Sequence, residues 1–569
     1  MRNLRYPICL LFFFASCRLF AQSLPVGTPL LEDYLRRQQL LNEVDSSLSF
    51  SVRPLFQSDI KGLNDVYQDS ILKDNTFLKF NGSASFDSGR GVIKLLPLNW
   101  QQQYNSNYPY GWNDGSMIPA AGYQTVVSGG FFAKYGPLSV QLRPEFVWAQ
   151  NQYFEGFPNE HYDEIWAAYY STTLNVIDNP ERFGTSSYSK ANWGQSSVRL
   201  TFDPVSLGIS NENLWWGPGV RNSLLMSNNA AGFKHITLNT SKPIRSYIGS
   251  FEGQIVAGKL ENSGMFPPEI NRVFNGSVLY QPKRDEWRYF TGYVFTYQPK
   301  WVPGLTLGMT RAFQMYHSDV HGFGDYFPLF QAFQKIDTDE YNKERDQLTS
   351  LFFRWLWTDA KAEIYAEYGR NDHAEDFRDF ILEPDHTRAY LLGFRKAIPL
   401  NKHKDEYILT SVELTQMDQS ANRTIRDGGA WYVHSQIRQG YTNQGQVLGA
   451  GIGPGGNLQS VDVSWFSGLK HLGVQFERYL HNNDFYYYAY STYSPYSKTN
   501  DPRRHWVDLN YSVYGEWNFK NLLLNAKLTA VHSLNYEWFL YDRPEEYSFF
   551  KSGWDSHNFA AQLGVSYRF

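Results

Sequence analysis

Apolar and polar residues alternate with a period of two over much of this chain, most cleanly at its end. Ala561, Leu563, Val565, Tyr567 and Phe569 fall on one side of an extended segment, and Ala560, Gln562, Gly564, Ser566 and Arg568 on the other. Successive side chains of a strand point to opposite faces, so the pattern predicts a strand with one apolar and one polar face. An aromatic residue ending the apolar face is how the closing strand of a bacterial outer-membrane barrel finishes. The pattern recurs where Leu138, Val140, Leu142, Phe146 and Trp148 oppose Ser139, Gln141, Arg143 and Glu145. It recurs where Ala362, Ile364, Ala366 and Tyr368 oppose Lys361, Glu363, Tyr365 and Glu367. A further case sets Val507, Leu509, Tyr511, Val513 and Trp517 against Asp508, Asn510, Ser512, Tyr514 and Glu516. Period alone fits either a soluble sandwich or a barrel whose charged face lines a hydrated lumen.

Connection lengths separate the two. Short links are read at Tyr135-Gly-Pro137, Asp203-Pro204, Ser241-Lys-Pro243, Val302-Pro-Gly304, Thr358-Asp-Ala360, Leu400 to Asp405, Ser467-Gly468 and Phe519-Lys-Asn521. Between them lie long polar-aromatic segments near 105–121, 151–193, 215–232, 262–285, 317–346, 371–385, 419–457, 482–504 and 536–555. Short and long links alternate as periplasmic turns and extracellular loops do in outer-membrane barrels. Eight turns and nine loops join eighteen strands, with both barrel ends on the periplasmic side. A further strand pair could hide in 262–285 or 419–457, which sets a range of sixteen to twenty. The predicted fold is all-β, a transmembrane outer-membrane β-barrel of about 18 antiparallel strands over 91–569.

Residues 22–90 break the alternation and are read as a small, partly helical periplasmic element. Thr28-Pro29 is a helix start with Pro at the first helical position. Leu30, Leu31, Tyr34, Leu35, Gln38 and Leu41 then follow at helical spacing. Leu48, Phe50 and Val52 alternate with Ser47, Ser49 and Ser51, which predicts a short strand. Before this element, Arg2 and Arg5 precede the apolar run Ile8 to Ala15, and Leu19-Phe-Ala21 offers a cleavage site, so 1–21 reads as a signal peptide. The rival lipoprotein site Phe14-Ala-Ser-Cys17 has Phe where Leu is normally wanted. Cleavage after Ala21 removes Cys9 and Cys17 and leaves no disulfide framework or thiol chemistry.

Composition agrees. The chain holds 40 Tyr, 41 Phe and 17 Trp in 569 residues, yet its mean hydropathy is −0.47. After the N-terminus no apolar run approaches the roughly 20 residues of a membrane helix. Aromatic girdles around a polar interior reconcile the two observations. The formal net charge of −4 argues against nucleic acid as a partner.

Three segments mix Gly and Pro with aromatics or amides and fall in long loops: Tyr110-Gly-Trp-Asn-Asp-Gly115, Asn213-Leu-Trp-Trp-Gly-Pro-Gly219 and Gly449-Ala-Gly-Ile-Gly-Pro-Gly-Gly-Asn457. The second, with Arg221-Asn-Ser-Leu-Leu-Met-Ser-Asn-Asn-Ala-Ala-Gly-Phe233, resembles the Wzi family of capsule-assembly outer-membrane proteins. Trp112-Asn-Asp-Gly115, Gly451-Ile-Gly-Pro-Gly455 and Phe251-Glu-Gly-Gln-Ile-Val-Ala-Gly258 are similar to other parts of that family. The resemblance implies an eighteen-stranded barrel with a small periplasmic helical element. It also implies a lectin-like anchor, not an enzyme, that retains capsular or exopolysaccharide at the cell surface; some relatives are described as gliding-motility proteins. Loop placement and resemblance together nominate Trp112, Asn113, Asp114, Trp215, Trp216, Arg221, Asn222, Asn228 and Asn229 as polysaccharide-binding. Gly217, Pro218, Gly219, Gly453, Pro454 and Gly455 are structural loop residues. Trp and Tyr faces suit the C–H faces of pyranose rings, and Asn, Asp and Arg suit hydroxyls or uronic carboxylates. Further aromatics crowd two loops, Tyr153, Phe154, Tyr162, Trp166, Tyr169 and Tyr170 in one, and Phe485 to Tyr488, Tyr490, Tyr493 and Tyr496 in another. For Trp215 and Trp216, folding the loop inward over the lumen is an equal alternative.

Other chemistry finds no footing. Gly451, Gly453 and Gly456 satisfy GxGxxG without a βαβ unit around them. No HExxH, GxSxG or Cys-based metal pair occurs, and His373 amid Asp372, Glu375 and Asp376 reads as a solvated loop. Sequence does not place paired carboxylates such as Asp163-Glu164 at glycosidase spacing, and adjacent His532 and Ser533 face opposite sides of a strand. No catalytic residue, metal or cofactor is expected. The expected partners are a surface polysaccharide, outer-membrane lipid, and the barrel assembly machinery through Phe569, with the protein a monomer. The alternatives are an outer-membrane channel for solutes, or a surface component of a motility or secretion machine.

Overall fold

Eighteen antiparallel strands close into one barrel in the computed structural model. It describes residues 22–28, 31–56, 82–328, 345–371, 377–400, 406–419, 429–492, 505–539 and 552–569. The first six strands are β1 (Gly91–Asn105), β2 (Gly122–Tyr135), β3 (Leu138–Leu142 with Glu145–Ala149), β4 (Tyr188–Asn192 with Ser197–Phe202), β5 (Val205–Ser210) and β6 (His235–Thr240 with Ile244–Arg245). Next come β7 (Gly249–Leu260), β8 (Arg288–Pro299), β9 (Leu305–Tyr316), β10 (Arg345–Trp357), β11 (Ala362–Asn371) and β12 (Arg388–Pro399). The last are β13 (Glu406–Gln416), β14 (Asn457–Ser467), β15 (Lys470–Leu480), β16 (Val507–Phe519), β17 (Leu522–Leu534) and β18 (Ser556–Tyr567). Each strand pairs with the next. β18 returns to β1, Tyr567 opposite Leu98 and Ala560 opposite Asn105, so the barrel has no free edge.

The barrel is apolar outside and polar inside. Ile209, Val513 and Leu563 are 66%, 54% and 49% exposed, whereas Arg199, Glu363 and Glu477 on the opposite faces are 2% or less exposed. This inversion is what a lipid-facing wall requires. No described helix is long and apolar enough to cross a membrane; the strands do so.

One predicted turn is displaced. Ser241-Lys-Pro243 is a break inside β6, because Pro243 has no N–H to give the ladder. The strand resumes at Ile244–Arg245 and turns at Ser246-Tyr-Ile248. In the two segments suspected of hiding strands, the described residues hold only two-residue hairpins outside the barrel sheet: Val273–Phe274 with Ser277–Val278, and Thr442–Asn443 with Gln446–Val447. Residues 1–21, Pro29, Leu30, 401–405, the His373 cluster, Tyr493 and Tyr496 lie outside the described residues.

The N-terminal segment sits within the short-turn end of the barrel. Helix α1 (Leu31–Leu40) carries Glu32 and Asp33 in its first turn and Arg37 in its last, which suits the helix dipole. Leu31, Leu35, Leu48, Phe50 and Leu55 pack against inward-facing Leu96, Phe132 and Leu523. Leu40 packs against Leu356, Tyr407 and Phe466. Charge then ties the helix to the wall. Glu363 on β11 receives Arg36 at 3.0 Å, Arg395 at 3.3 Å and Arg354 at 2.5 Å, and Asp33 receives Arg395 and Arg37, both at 2.7 Å.

Candidate functional site

The loop between β5 and β6 turns into the lumen and crosses it. Trp215–Trp216 pairs antiparallel with Val52–Arg53 of the N-terminal segment, and the Gly217 amide donates to Ser51 O at 2.9 Å. Trp215 lies under the Arg53 guanidinium at 4.4 Å. Trp216, fully buried, donates from Nε1 to Gln254 at 2.8 Å. Just beyond, the backbone amides of Val220, Arg221 and Asn222 converge on the Glu413 carboxylate at 2.8–3.1 Å. Successive amides aimed at one point form an anion-binding nest, here filled by a side chain of the wall. A Cβ on Gly219 would come 1.9 Å from Asn222 O, so only glycine permits this turn. Leu224, Leu225 and Met226 then join Trp431, Tyr432 and Leu448 of the β13–β14 loop in an apolar core across mid-lumen.

Above this core the loops enclose a cavity of about 260 Å³. Its wall is a chain of rings. Tyr110 meets Trp112 at 6.0 Å, Trp112 meets Tyr479 at 5.8 Å, and Tyr479 meets His481 at 3.7 Å. His481 stacks on Trp506 at 3.6 Å, and Trp506 packs edge-on to Tyr536 at 5.4 Å and Trp538 at 5.1 Å. Asp508 fixes two of these rings, accepting from His481 Nε2 at 2.8 Å and Trp506 Nε1 at 3.1 Å. Two more carboxylates line the cavity. Glu181 accepts from the Tyr169 hydroxyl at 2.6 Å, while Glu537 has no hydrogen-bond or ion-pair partner among the described residues. Burial, then Glu181 and Asp508, push the Glu537 carboxyl well above its ordinary range, and burial raises Glu181 as well.

The nominated residues divide. Trp112, Asn229, Gly453 and Pro454 line the aromatic cavity. Asn113, Asp114 and Asn228 line a second cavity of about 240 Å³, walled by amides such as Gln101, Gln103 and Gln195. Burial pushes the Asp114 carboxyl up to about 6, against hydrogen bonds from Gln103 and Gln562, both at 3.3 Å. Trp215, Trp216, Arg221, Asn222, Gly217, Pro218, Gly219 and Gly455 line neither. Arg221 grips Glu477 through two bonds of 2.8 and 3.1 Å and supports Trp112 from below, 4.8 Å from its ring. Asn222 donates to Thr415. Asn228 and Asn229 hold loop carbonyls at Asn113 and Val447. A Cβ on Gly451 would meet Asn229 and Trp112 at 2.4 and 2.5 Å, so that glycine lets two loops touch.

Residues not singled out in advance carry much of the wall. His481, Trp506, Tyr536, Glu537 and Trp538 come from the two loops after β15 and β17. The available signal was an aromatic or His just past the end of neighbouring strands. The aromatics of 151–193 and 482–504 mainly pack two short helices, Asp163–Tyr169 and Asn483–Thr492, through Trp166, Tyr169, Tyr170, Phe485, Tyr486 and Tyr490.

Among solved structures, the chain is similar to Escherichia coli Wzi, described as an outer-membrane protein involved in group 1 capsule assembly and a carbohydrate-binding β-barrel. Identity is 13%, the TM-score 0.56, and the match covers 96% of this chain and 100% of that one. Pseudomonas aeruginosa OccK8 (OprE) matches at 9% identity and TM-score 0.38 over 85% of this chain and 99% of that one. Acinetobacter baumannii OccAB4 matches at 10% and 0.36 over 83% and 98%. No curated protein matches in sequence. The model of the family described as capsule assembly protein Wzi matches residues 114–533, and this outer-membrane barrel belongs to that family.

Proposed function

We propose that the protein binds capsular or exopolysaccharide through the aromatic cavity of its long-loop end and anchors it at the cell surface, without catalysis. The observation that carries the reading is the unbroken run of rings from Tyr110 to Trp538 around a space of about 260 Å³. Flat, rigid rings stack on sugar C–H faces with little entropy loss, and carboxylates and amides beside them accept or donate to hydroxyls. The carbohydrate binding ascribed to the Escherichia coli relative supports it. The filled mid-lumen favours an anchor over a solute channel. In this reading the long loops face outward, 1–21 is a signal peptide removed on export, and 22–90 is the periplasmic element. The chain is a monomer in outer-membrane lipid, recognised through Phe569 by the barrel assembly machinery.

The test is polymer retention. A deletion strain should shed surface polysaccharide at unchanged total synthesis, and the intact gene should restore it. Retention unchanged by deletion would remove the anchoring role. Ion conductance by the purified protein in planar bilayers would favour the channel.

A further inference from the structure

The charge around the aromatic cavity narrows what can occupy it. Three carboxylates line it, Glu181, Asp508 and Glu537, against a single His481 already bound to Asp508. No Lys or Arg lines it among the described residues. The nearest guanidinium in the ring chain, Arg221, lies behind Trp112 and is spent on Glu477. Glu181 and Asp508 already accept bonds from protein donors. Glu537 accepts none among the described residues.

The backbone holds Glu537 in place at a cost. Asn535, Glu537 and Trp538 have φ of +51°, +49° and +55°, a region that residues other than glycine rarely adopt. Strain of this kind persists where the surroundings over-determine it, and it clusters at ligand sites. Trp538 of the same turn is 3% exposed, and its buried indole N–H has no acceptor among the described residues. Glu537 thus stands as a carboxyl group without a partner among the described residues, on a strained turn at the cavity wall.

Building on the carbohydrate reading, we infer that the cavity takes a sugar unit carrying hydroxyls or an amine but no carboxylate, and that Glu537 sets this preference. A uronic acid brings a further negative charge to a wall where no Lys or Arg stands among the described residues and where crowded carboxyl groups already push one another toward the neutral form. A neutral or amino sugar adds no negative charge, and its hydroxyl or amine hydrogens can be accepted by the Glu537 carboxyl.

The test uses purified full-length protein in detergent and the surface polysaccharide of the producing bacterium in three forms: native, carboxyl-reduced, and oxidised at C6 so that hydroxymethyl groups become carboxylates. The wild type should bind the native and reduced polymers within threefold of each other and the oxidised polymer at least tenfold more weakly. Glu537→Gln keeps the side-chain shape and should narrow that gap to threefold or less. The inference is overturned if carboxyl reduction weakens wild-type binding tenfold, if oxidation costs nothing, or if Glu537→Gln leaves the gap unchanged. If the wild type binds none of the three polymers, the carbohydrate reading falls, and this inference falls with it. Binding that survives with the opposite preference overturns the inference alone.

Discussion

At its short-turn end the lumen is stopped by charge. Arg36, Arg354 and Arg395 converge on Glu363, and Arg395 and Arg37 on Asp33. At its long-loop end it is stopped by rings and tight glycine contacts, Trp112 against Gly451 and His481 against Trp506. The two closures differ in what they leave open. A buried ion cluster tolerates no gap, since each unmatched charge costs several kcal/mol, so the helix of the N-terminal segment is locked to the wall. Rings make no such demand, and between them a cavity persists with polar edges unfilled. One end of the same tube is therefore closed by paired charge, and the other keeps a cavity of about 260 Å³ among its rings.

The sharpest way to break the first closure is Glu363→Ala, which removes the carboxylate shared by three guanidiniums and leaves Arg36 and Arg354 without their ion-pair partner while Arg395 keeps Asp33. We expect a loss of about 3–5 kcal/mol, read as a fall in the thermal unfolding midpoint in detergent. Trp216→Ala tests the join between the two ends. It removes a fully buried ring over Gly292 and should cost about 3 kcal/mol, with correctly inserted barrel still recovered. Trp506→Ala should separate binding from folding, weakening polysaccharide binding roughly tenfold, about 1.4 kcal/mol, with a smaller change in the unfolding midpoint. A titration of polymer against the variant checks it, and unchanged affinity would move the site elsewhere.

The smallest effect is acid. Burial alone would raise the Asp33 carboxyl, but Arg395, Arg37 and His471 outweigh it and hold it well below the usual range. Its folded pKa is thus depressed, so its contribution is complete above the unfolded value of about 4 and is lost as pH falls toward the folded one. The unfolding midpoint should therefore drop below about pH 4 in the wild type, and Asp33→Asn should flatten that part of the profile. An equal drop in both proteins would take Asp33 out of the closure.

The barrel was legible because lipid inverts the usual burial rule along every strand. Leu563 against Ser566, and Ile364 against Glu363, declare their sides from period alone, and turn and loop lengths count the strands. Pro243 misled because a proline that interrupts a strand looks, in sequence, like one that ends it. The site was less legible. Trp215-Trp-Gly-Pro-Gly219 stands out as a motif, yet its conspicuous composition reflects a loop squeezed between wall and N-terminal segment. Trp506 and Glu537 carry no motif. They matter because β15, β16 and β17 lie side by side and bring the ends of their loops together, a neighbourhood that only barrel closure creates.

The carboxylate nest described above also bears on the order of assembly. The amides of Val220 to Asn222 need Glu413, which lies 191 to 193 residues further along the chain. Contacts so distant in sequence form late, because the intervening chain must first be ordered. The turn at Val220 to Asn222 therefore reaches its final form only once β13 has joined the sheet.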